Sequence, residues 1–336
     1  GRNTSPKFDM GRNFCNKLWN AVRFALMNLS RPAEGDLEGA ADAEFDADAM
    51  RLEDRWILSR TERVGRTVQA QLEDFHFQAS LMALYDYFWH DLCDWYLEAV
   101  KPRVAEAGER GTAQRVLAFV LDRALRLMHP FVPFITEAAW EGLNATVADR
   151  SLAGLADAPP SDRLIVAAWP AACDALLDDG AEREFDLRRD LIDGVRRARA
   201  ESGQSASEVP AYFPEPGGKE DLIAVTFDDY GRLAGVTEVH IGESPAGGQV
   251  CASHYVASLG SSVYVPMPQE KVEQERQRIA KEIEDKKRML AGAEKKLANP
   301  NFTRRAPAEV VERQRALAEE ARAAIDALEK RAAELR

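Results

Sequence analysis

Residues 290–311 read LAGAEKKLANPNFTRRAPAEVV and separate two long amphipathic stretches. Before this segment, seam positions recur at alternating four- and three-residue steps from Val272 to Leu297, through Arg276, and after it the same heptad spacing runs from Val311 to Leu335. Such spacing gives each helix one seam, and Asn299-Pro300 ends the first helix because proline cannot continue it. We therefore predict an antiparallel coiled-coil hairpin over residues 269–336.

The other segments of the chain divide by composition and spacing. Apolar residues recur at helical spacing through 52–142, and short β-prone runs at 239–241, 250–257 and 263–265 follow a further helix at 185–202. We predict a mainly α protein with five parts: a first helix with its lead-in (1–30), an acidic linker (31–50), a helical bundle (51–180), a small α/β connecting module (181–268), and the hairpin (269–336).

Bulk properties exclude several classes of protein. The length of 336 residues is enough for about two domains with an extension, and the 46% of hydrophobic residues can fill their cores. The four cysteines lie far apart without a Cys-x-x-Cys pair, which indicates reduced thiols and argues against a disulfide framework or a zinc site. Because no apolar run could cross a bilayer and nothing resembles a signal peptide, we expect a cytoplasmic protein without a membrane partner.

The net charge of −12 alone argues against a nonspecific nucleic-acid binder. Its distribution does not, because residues 1–23 carry five basic side chains and one acidic one. The hairpin carries 17 basic and 14 acidic side chains. The negative charge therefore lies in the middle of the chain, and both ends remain available to a polyanion.

The first helix has an apolar arc and a polar arc. The apolar arc holds Phe14, Cys15, Leu18, Trp19, Val22, Ala25, Leu26 and Leu29. The polar arc carries Asn13, Lys17, Asn20 and Arg23, together with the large aromatic Phe24, and Arg12 precedes it. Phe24 beside a cation and an amide fits a platform that stacks an RNA base. The pattern is equally compatible with Phe24 packing under a neighbouring helix as ordinary core.

The hairpin turn is flanked by four cations: Lys295, Lys296, Arg304 and Arg305. They could contact phosphates of a polyanion, or they could simply solvate the coiled coil, and the pattern leaves both readings open.

Chemistry-bearing residues form no recognisable catalytic arrangement. The five histidines lack metal-ligand spacing, and the sequence contains neither a Walker-type phosphate loop nor a Gly-x-Ser-x-Gly motif. We predict no catalytic residue, no metal site and no cofactor site in this chain.

Several motifs resemble one family. LWNAVRF at 18–24, and FW at 88–89 followed by CDWYLE at 93–98, are similar to segments of the anticodon-binding region of valyl-tRNA synthetases. DRWILSR at 54–60 is similar to a second-helix motif shared by the valyl, isoleucyl, leucyl, methionyl and cysteinyl synthetases. HPFVPFITE at 129–137 fits the wider group that includes the isoleucyl and leucyl enzymes. KLANPNF at 296–302 with APAEVV at 306–311 resembles the C-terminal coiled-coil arm of the bacterial valyl enzymes.

The resemblance implies a tRNA(Val)-binding C-terminal region. By family order the bundle would bind the anticodon and the arm would bind the outer corner of the tRNA. The RNA-contacting residues would be Arg12, Asn13, Lys17, Asn20, Arg23, Phe24, Lys295, Lys296, Arg304 and Arg305. The family's ATP-dependent chemistry uses a His-x-Gly-His-like motif and a Lys-Met-Ser-Lys-Ser motif, and neither occurs here.

The chain, which begins at Gly1 without methionine, is accordingly expected to be a monomeric fragment that is inactive alone. Its missing N-terminal catalytic and editing domains would be its partners in the same polypeptide. Two alternatives remain: the corresponding region of an isoleucyl- or leucyl-tRNA synthetase, and a non-enzymatic coiled-coil interaction protein.

Overall fold

The computed structural model describes residues 6–29, 45–104, 110–247, 249–300, 302 and 306–334. The chain forms two compact units, residues 1–187 and 188–336. Most of the predicted linker at 31–50 lies outside the described residues, as do Arg304 and Arg305 at the hairpin turn.

The first unit is a helical bundle. Its helices are α1 (Pro6–Leu29), α2 (Leu52–Glu73), α3 (Phe77–Asp86), α4 (Leu97–Val100), α5 (Arg110–Met128), α6 (Pro133–Thr146) and the start of α7 (Asp179–Glu201). Between α3 and α4 the helix continues in π-helical form over Tyr87–Tyr96. As the sequence predicts, α5 ends just before His129-Pro130, and Pro133 occupies the first turn of α6, where its missing N–H costs nothing.

Aromatic side chains fill the core of the bundle. Trp56 of α2 stacks on Phe185 of α7 with ring centroids 4.1 Å apart, and Trp95 meets the same ring edge-on at 6.1 Å. Phe119 of α5 and Trp140 of α6 are fully buried. These contacts bring the helices of the first unit around one apolar core.

A buried ionic cluster crosses the same bundle. The guanidinium of Arg103 donates from Nη1 to Glu53 at 2.9 Å and to Asp54 at 2.7 Å, and the Tyr96 hydroxyl donates to Asp54 at 3.3 Å. Burial raises the pKa of Asp54 to about 6, although the charge of Arg103 opposes this shift. Asp54 is therefore ionised at neutral pH only at a cost that Arg103 offsets.

The second unit contains a four-stranded mixed sheet. Its strands are β1 (Val209–Phe213), β2 (Val236–Ile241), β3 (Cys251–Val256) and β4 (Ser261–Pro266), in the order β2-β1-β4-β3. Strand β1 pairs parallel with β2 and antiparallel with β4, and β3 pairs antiparallel with β4. The crossover that joins the parallel strands β1 and β2 contains α8 (Glu220–Ala234).

Helices α7 and α8 pack on one face of the sheet. A Cβ placed on Gly194 of α7 would lie 2.5 Å from Val256 and 3.7 Å from Val263, so only glycine allows this close approach. On the same face, Phe213 of β1 packs against Phe227 of α8 with centroids 5.5 Å apart. Glycine at position 194 thus seats α7 directly on β3 and β4.

The chain ends in an antiparallel helical hairpin, formed by α9 (Gln269–Leu297) and α10 (Ala308–Glu334). Two inter-helix ion pairs set its direction, Lys287 with Glu329 and Glu294 with Arg322. The partner in α10 moves back by seven residues, from Glu329 to Arg322, as the chain advances by seven residues in α9, from Lys287 to Glu294. The two helices therefore run antiparallel. Val272, Ile279, Ala293, Val311, Ala318, Ala321 and Ile325 are buried along the seam.

The mainly α fold class with a small sheet and a C-terminal helix pair is therefore confirmed. One seam position is wrong, because Arg276 is exposed; its long charged side chain extends to Glu273, 3.8 Å away. Within the described part of the chain, no helix is long and apolar enough to span a membrane, and no group of His, Cys, Asp or Glu side chains could hold a metal ion.

Candidate nucleic-acid interface

Helix α1 buries one side and exposes the other. Phe14, Leu18, Val22, Ala25 and Leu29 are buried, as the helical spacing predicts. Trp19 departs from the predicted apolar arc because it is 47% exposed. It lies at the edge of that arc, where a groove of about 250 Å³ separates α1 from α6, so the neighbouring helix covers only part of its ring.

The exposed side of α1 carries most of the predicted RNA-binding residues. Asn13, Asn20 and Arg23 are exposed to solvent. Arg12 is also exposed and forms a salt bridge of 2.9 Å with Asp9 one turn away. An exposed intrahelical pair of this kind contributes little to stability and can be exchanged for a phosphate.

Lys17 lies between two partners that the sequence pattern did not reveal. Its ammonium donates to Asp94 at 2.9 Å and lies 5.0 Å from the centre of the Trp89 ring. Partial burial opposes the charged form, but the hydrogen bond and the charge of Asp94 outweigh it, so the pKa of Lys17 is raised. Lys17 is thus a positioned cation, and an RNA contact through it must share the ammonium with Asp94.

The surroundings of Phe24 are intermediate between those of an exposed base-stacking platform and those of a core residue. The ring is half-buried, and the Lys101 ammonium lies 5.3 Å from its centre. The backbone carbonyl of Phe24 accepts a hydrogen bond of 2.8 Å from Asn28. One part of the ring therefore remains accessible beside Asn20 and Arg23, and base stacking on Phe24 stays a prediction.

At the hairpin tip, Lys295 and Lys296 project from the last turn of α9 and are exposed. Neither forms an ion pair with any residue that the structure describes. Cations at a helix C-terminus are favoured by the helix dipole, so their position has a structural reason as well as a potential functional one. The predicted contribution of Arg304 and Arg305 concerns residues outside the described part of the chain.

Two family models match the chain in order. Residues 54–211 match the anticodon-binding domain of tRNA ligases, and residues 271–336 match the valyl-tRNA synthetase tRNA-binding arm. The first match covers the helical bundle from α2 onward, and the second coincides with the antiparallel hairpin.

Curated relatives match almost the whole chain. It is 35% identical over 91% of its length to the valine–tRNA ligase of Thermotoga maritima, and 32% identical over 93% to that of Rhodopirellula baltica. The enzyme of Parasynechococcus marenigrum is 33% identical over 99% of the chain. The matches cover 32%, 29% and 36% of these three relatives. The chain thus spans about a third of the length of the curated relatives it matches.

An anticodon-binding domain joined to a tRNA-binding arm defines the class of aminoacyl-tRNA ligases. Within that class, the valyl arm and the relatives that match almost the whole of this chain are specific. The chain belongs to the valine–tRNA ligase family and corresponds to the C-terminal region of its members. The other two thirds of each relative has no counterpart in this chain.

Phe24→Ala is expected to weaken tRNA binding by about 1–3 kcal/mol, because an aromatic platform contributes that much for each stacked base. The thermal midpoint should change little, since the ring is only half-buried. The measurement is a tRNA titration of folded protein with parallel thermal unfolding. Met27→Ala, at an exposed position of the same helix, is the control for general loss of apolar surface. If Phe24→Ala instead unfolds the bundle and leaves the affinity of the folded molecules unchanged, Phe24 is a core residue.

Proposed function

We propose that this chain is the tRNA(Val)-binding region of a valine–tRNA ligase, and that the complete enzyme joins valine to tRNA(Val) at the expense of ATP. The observation that carries the proposal is the order of its two matched regions, an anticodon-binding bundle followed by a tRNA-binding arm. An isoleucyl or leucyl enzyme is disfavoured because the matched arm is that of the valyl family.

In this proposal the bundle binds the anticodon loop through the exposed side of α1. Asn13, Asn20, Arg23 and Phe24 offer amide, cation and aromatic groups along one helix face, and Lys17 adds a cation held by Asp94. Unpaired loop bases are recognised by such combinations of stacking and hydrogen bonding.

The arm supplies a second and distant contact. At 1.5 Å per residue, the 29 residues of α9 extend about 43 Å, enough to reach a different part of a folded tRNA. The exposed Lys295 and Lys296 near its tip suit contacts to phosphate and sugar, which position RNA without reading its sequence. Binding energy from such remote contacts can orient the acceptor end and raise the turnover of the complete enzyme.

The partners follow from the same proposal. They are tRNA(Val) and the catalytic and editing domains that complete the polypeptide, where ATP is bound. We further propose that the protein acts in the cytoplasm as a monomer.

Recovery of tRNA from a total bacterial tRNA pool tests this function. The immobilised chain should enrich tRNA(Val) at moderate salt, as measured by sequencing the retained RNA. Retention of isoleucine or leucine tRNAs in its place would assign the chain to a related ligase, and no retention would favour a protein-interaction role.

The isolated chain is expected to lack adenylate-forming activity, because both phosphate-handling motifs of the family are absent from the sequence. Valine-dependent exchange of pyrophosphate into ATP should stay at the level of a preparation from cells with an empty vector. A signal that exceeds this background and scales with protein concentration would contradict the proposed division of labour.

A further inference from the structure

The sheet of the second unit has one face that its helices leave uncovered. Since α7 and α8 pack on the side of Phe213, Val256 and Val263, residues of opposite orientation form the other side. We call this side the open face, and it carries His240, Tyr212, Tyr264, Ser253 and Tyr255, one or two from each strand in sheet order.

Aromatic rings lie in a row across the open face. Tyr212 of β1 is in register with His240 of β2, and the two rings stack with centroids 4.3 Å apart and planes 10° apart. On its other side, Tyr212 is in register with Tyr264 of β4. The rings of Tyr212 and Tyr264 are half-buried, whereas Tyr255 of the edge strand β3 is 61% exposed.

This arrangement has the chemistry of a single-stranded RNA platform. Four-stranded sheets bind unpaired RNA by stacking bases on aromatic side chains of their central strands, and the central strands here are β1 and β4. Neighbouring strands lie about 4.8 Å apart, so rings in register on β1 and β4 can contact neighbouring or splayed-out bases. Cross-strand packing alone would explain the Tyr212–His240 pair but not the exposed Tyr255.

Charge indicates where the RNA backbone would run. Glu238 and Glu243 lie 3.5 and 3.3 Å from the His240 ring nitrogens, so the β2 edge disfavours phosphate. At β3, Arg197 of α7 lies 3.4 Å from His254, but Glu201 lies 3.7 Å from the same ring, and His254, in register with Val263, belongs to the side that α7 covers. A groove of about 570 Å³ beside Cys251 of β3 carries both signs of charge, since it is lined by Lys271 and Arg278 as well as by Glu201 and Glu275. The acidic side chains beside His240 therefore favour an RNA strand whose bases lie over Tyr212 and Tyr264 and whose phosphates run away from β2.

We propose that the open face binds unpaired nucleotides of the tRNA held by this chain, with bases stacked on Tyr212, Tyr264 and Tyr255. The inference rests on the proposed function, and it gives the α/β module an RNA-binding role of its own. The matched tRNA-binding arm begins at residue 271, in the same unit as the sheet, so both RNA contacts would lie within one unit.

Paired substitutions separate stacking from sheet stability. Tyr212→Leu and Tyr264→Leu keep an apolar side chain but remove the π face, and Tyr212→Phe and Tyr264→Phe keep that face. Each leucine variant of the whole chain should bind tRNA(Val) transcript about fivefold or more weakly, and each phenylalanine variant should bind like the unaltered chain. Circular dichroism of each variant reports whether the module is folded. Tyr255→Ala adds a variant at an exposed side chain, whose loss should not unfold the sheet.

Ultraviolet cross-linking of the unaltered complex gives a readout independent of any variant. Mass spectrometry should locate nucleotide adducts on Tyr212, Tyr255 or Tyr264. Adducts on α1 or the arm without any on the sheet, together with unchanged affinity of Tyr255→Ala, would overturn the proposal and point to a protein partner for the open face. Absence of tRNA binding by the unaltered chain would instead refute the proposed function, and this inference with it.

Discussion

Replacing Arg103 with leucine is expected to destabilise the helical bundle by about 3–5 kcal/mol, because it leaves two buried carboxylates without their cation. Arg103, Glu53 and Asp54 are each nearly inaccessible to solvent, and one guanidinium nitrogen bonds both acids. Removing one partner from a buried pair costs more than the pair contributes, since the remaining charge cannot be hydrated. Urea unfolding of the variant and the unaltered chain measures the difference.

The pH dependence of stability distinguishes loss of charge from loss of packing in the Arg103→Leu variant. The pKa of Asp54 in the folded chain is about 6, above its ordinary value, because the carboxyl is buried. When the pKa of a carboxyl is higher in the folded chain than in the unfolded chain, the ionised carboxylate destabilises the fold. This destabilisation is complete above the folded-state pKa and disappears as the pH falls toward the unfolded-state pKa. Without Arg103 the pKa rises further. The difference in stability between variant and unaltered chain should therefore shrink as the pH falls from 8 to 5.

Arg55→Leu is the matched control, on helix α2 beside Glu53 and Asp54. Arg55 is partly exposed and pairs with Asp178 at 3.3 Å, so its loss should cost less than about 1 kcal/mol. Equal losses for the two variants, with no dependence on pH, would show that the Arg103 cluster does not stabilise the bundle as described.

The second large effect concerns the arm. Removing residues 291–325 and closing the gap with a short glycine-rich turn should weaken tRNA binding about a hundredfold, because two linked binding sites lose their avidity when one is removed. The Lys287–Glu329 and Glu294–Arg322 pairs show that this deletion cuts both helices at the same level. The relative affinities for tRNAs with different anticodons should stay unchanged, since the bundle is left intact.

Salt dependence tests whether the tip contacts phosphates. Lys295→Ala with Lys296→Ala should reduce the slope of log affinity against log salt by about one unit for each phosphate that the tip no longer binds. Lys281→Ala, an exposed lysine farther from the tip on α9, serves as the control. Unchanged slope and affinity in the double variant would mean that these lysines only solvate the hairpin.

Local signals in the sequence were sufficient for the hairpin and for most helices. The heptad spacing and Asn299-Pro300 predict α9 and its end because both act within one or two helical turns. Strand β1 escaped detection because Pro210 argues against a central strand. The structure accommodates Pro210 at a register shift between Val209 and Ala211, a feature created by pairing with β2 and invisible along the chain.

The residues of the candidate nucleic-acid interface were predicted in part, because some of their positions depend only on local helical periodicity. The periodicity of α1 places Asn13, Asn20 and Arg23 on its exposed side, because that depends on one helix. The pairing of Lys17 with Asp94 depends on how the π-helical segment packs beside α1, 77 positions away in sequence. The exposure of Trp19 likewise depends on α6, and no local pattern specifies either contact.

The proposed function requires that this chain recognise the anticodon of tRNA(Val). The most direct measurement is the dissociation constant of the chain for a tRNA(Val) transcript and for the same transcript with a different anticodon, in one buffer near physiological salt. We predict a loss of about tenfold or more on the anticodon change, the effect of one stacked or hydrogen-bonded base. Equal affinity for both transcripts, or no measurable binding of either, would contradict anticodon recognition by this chain.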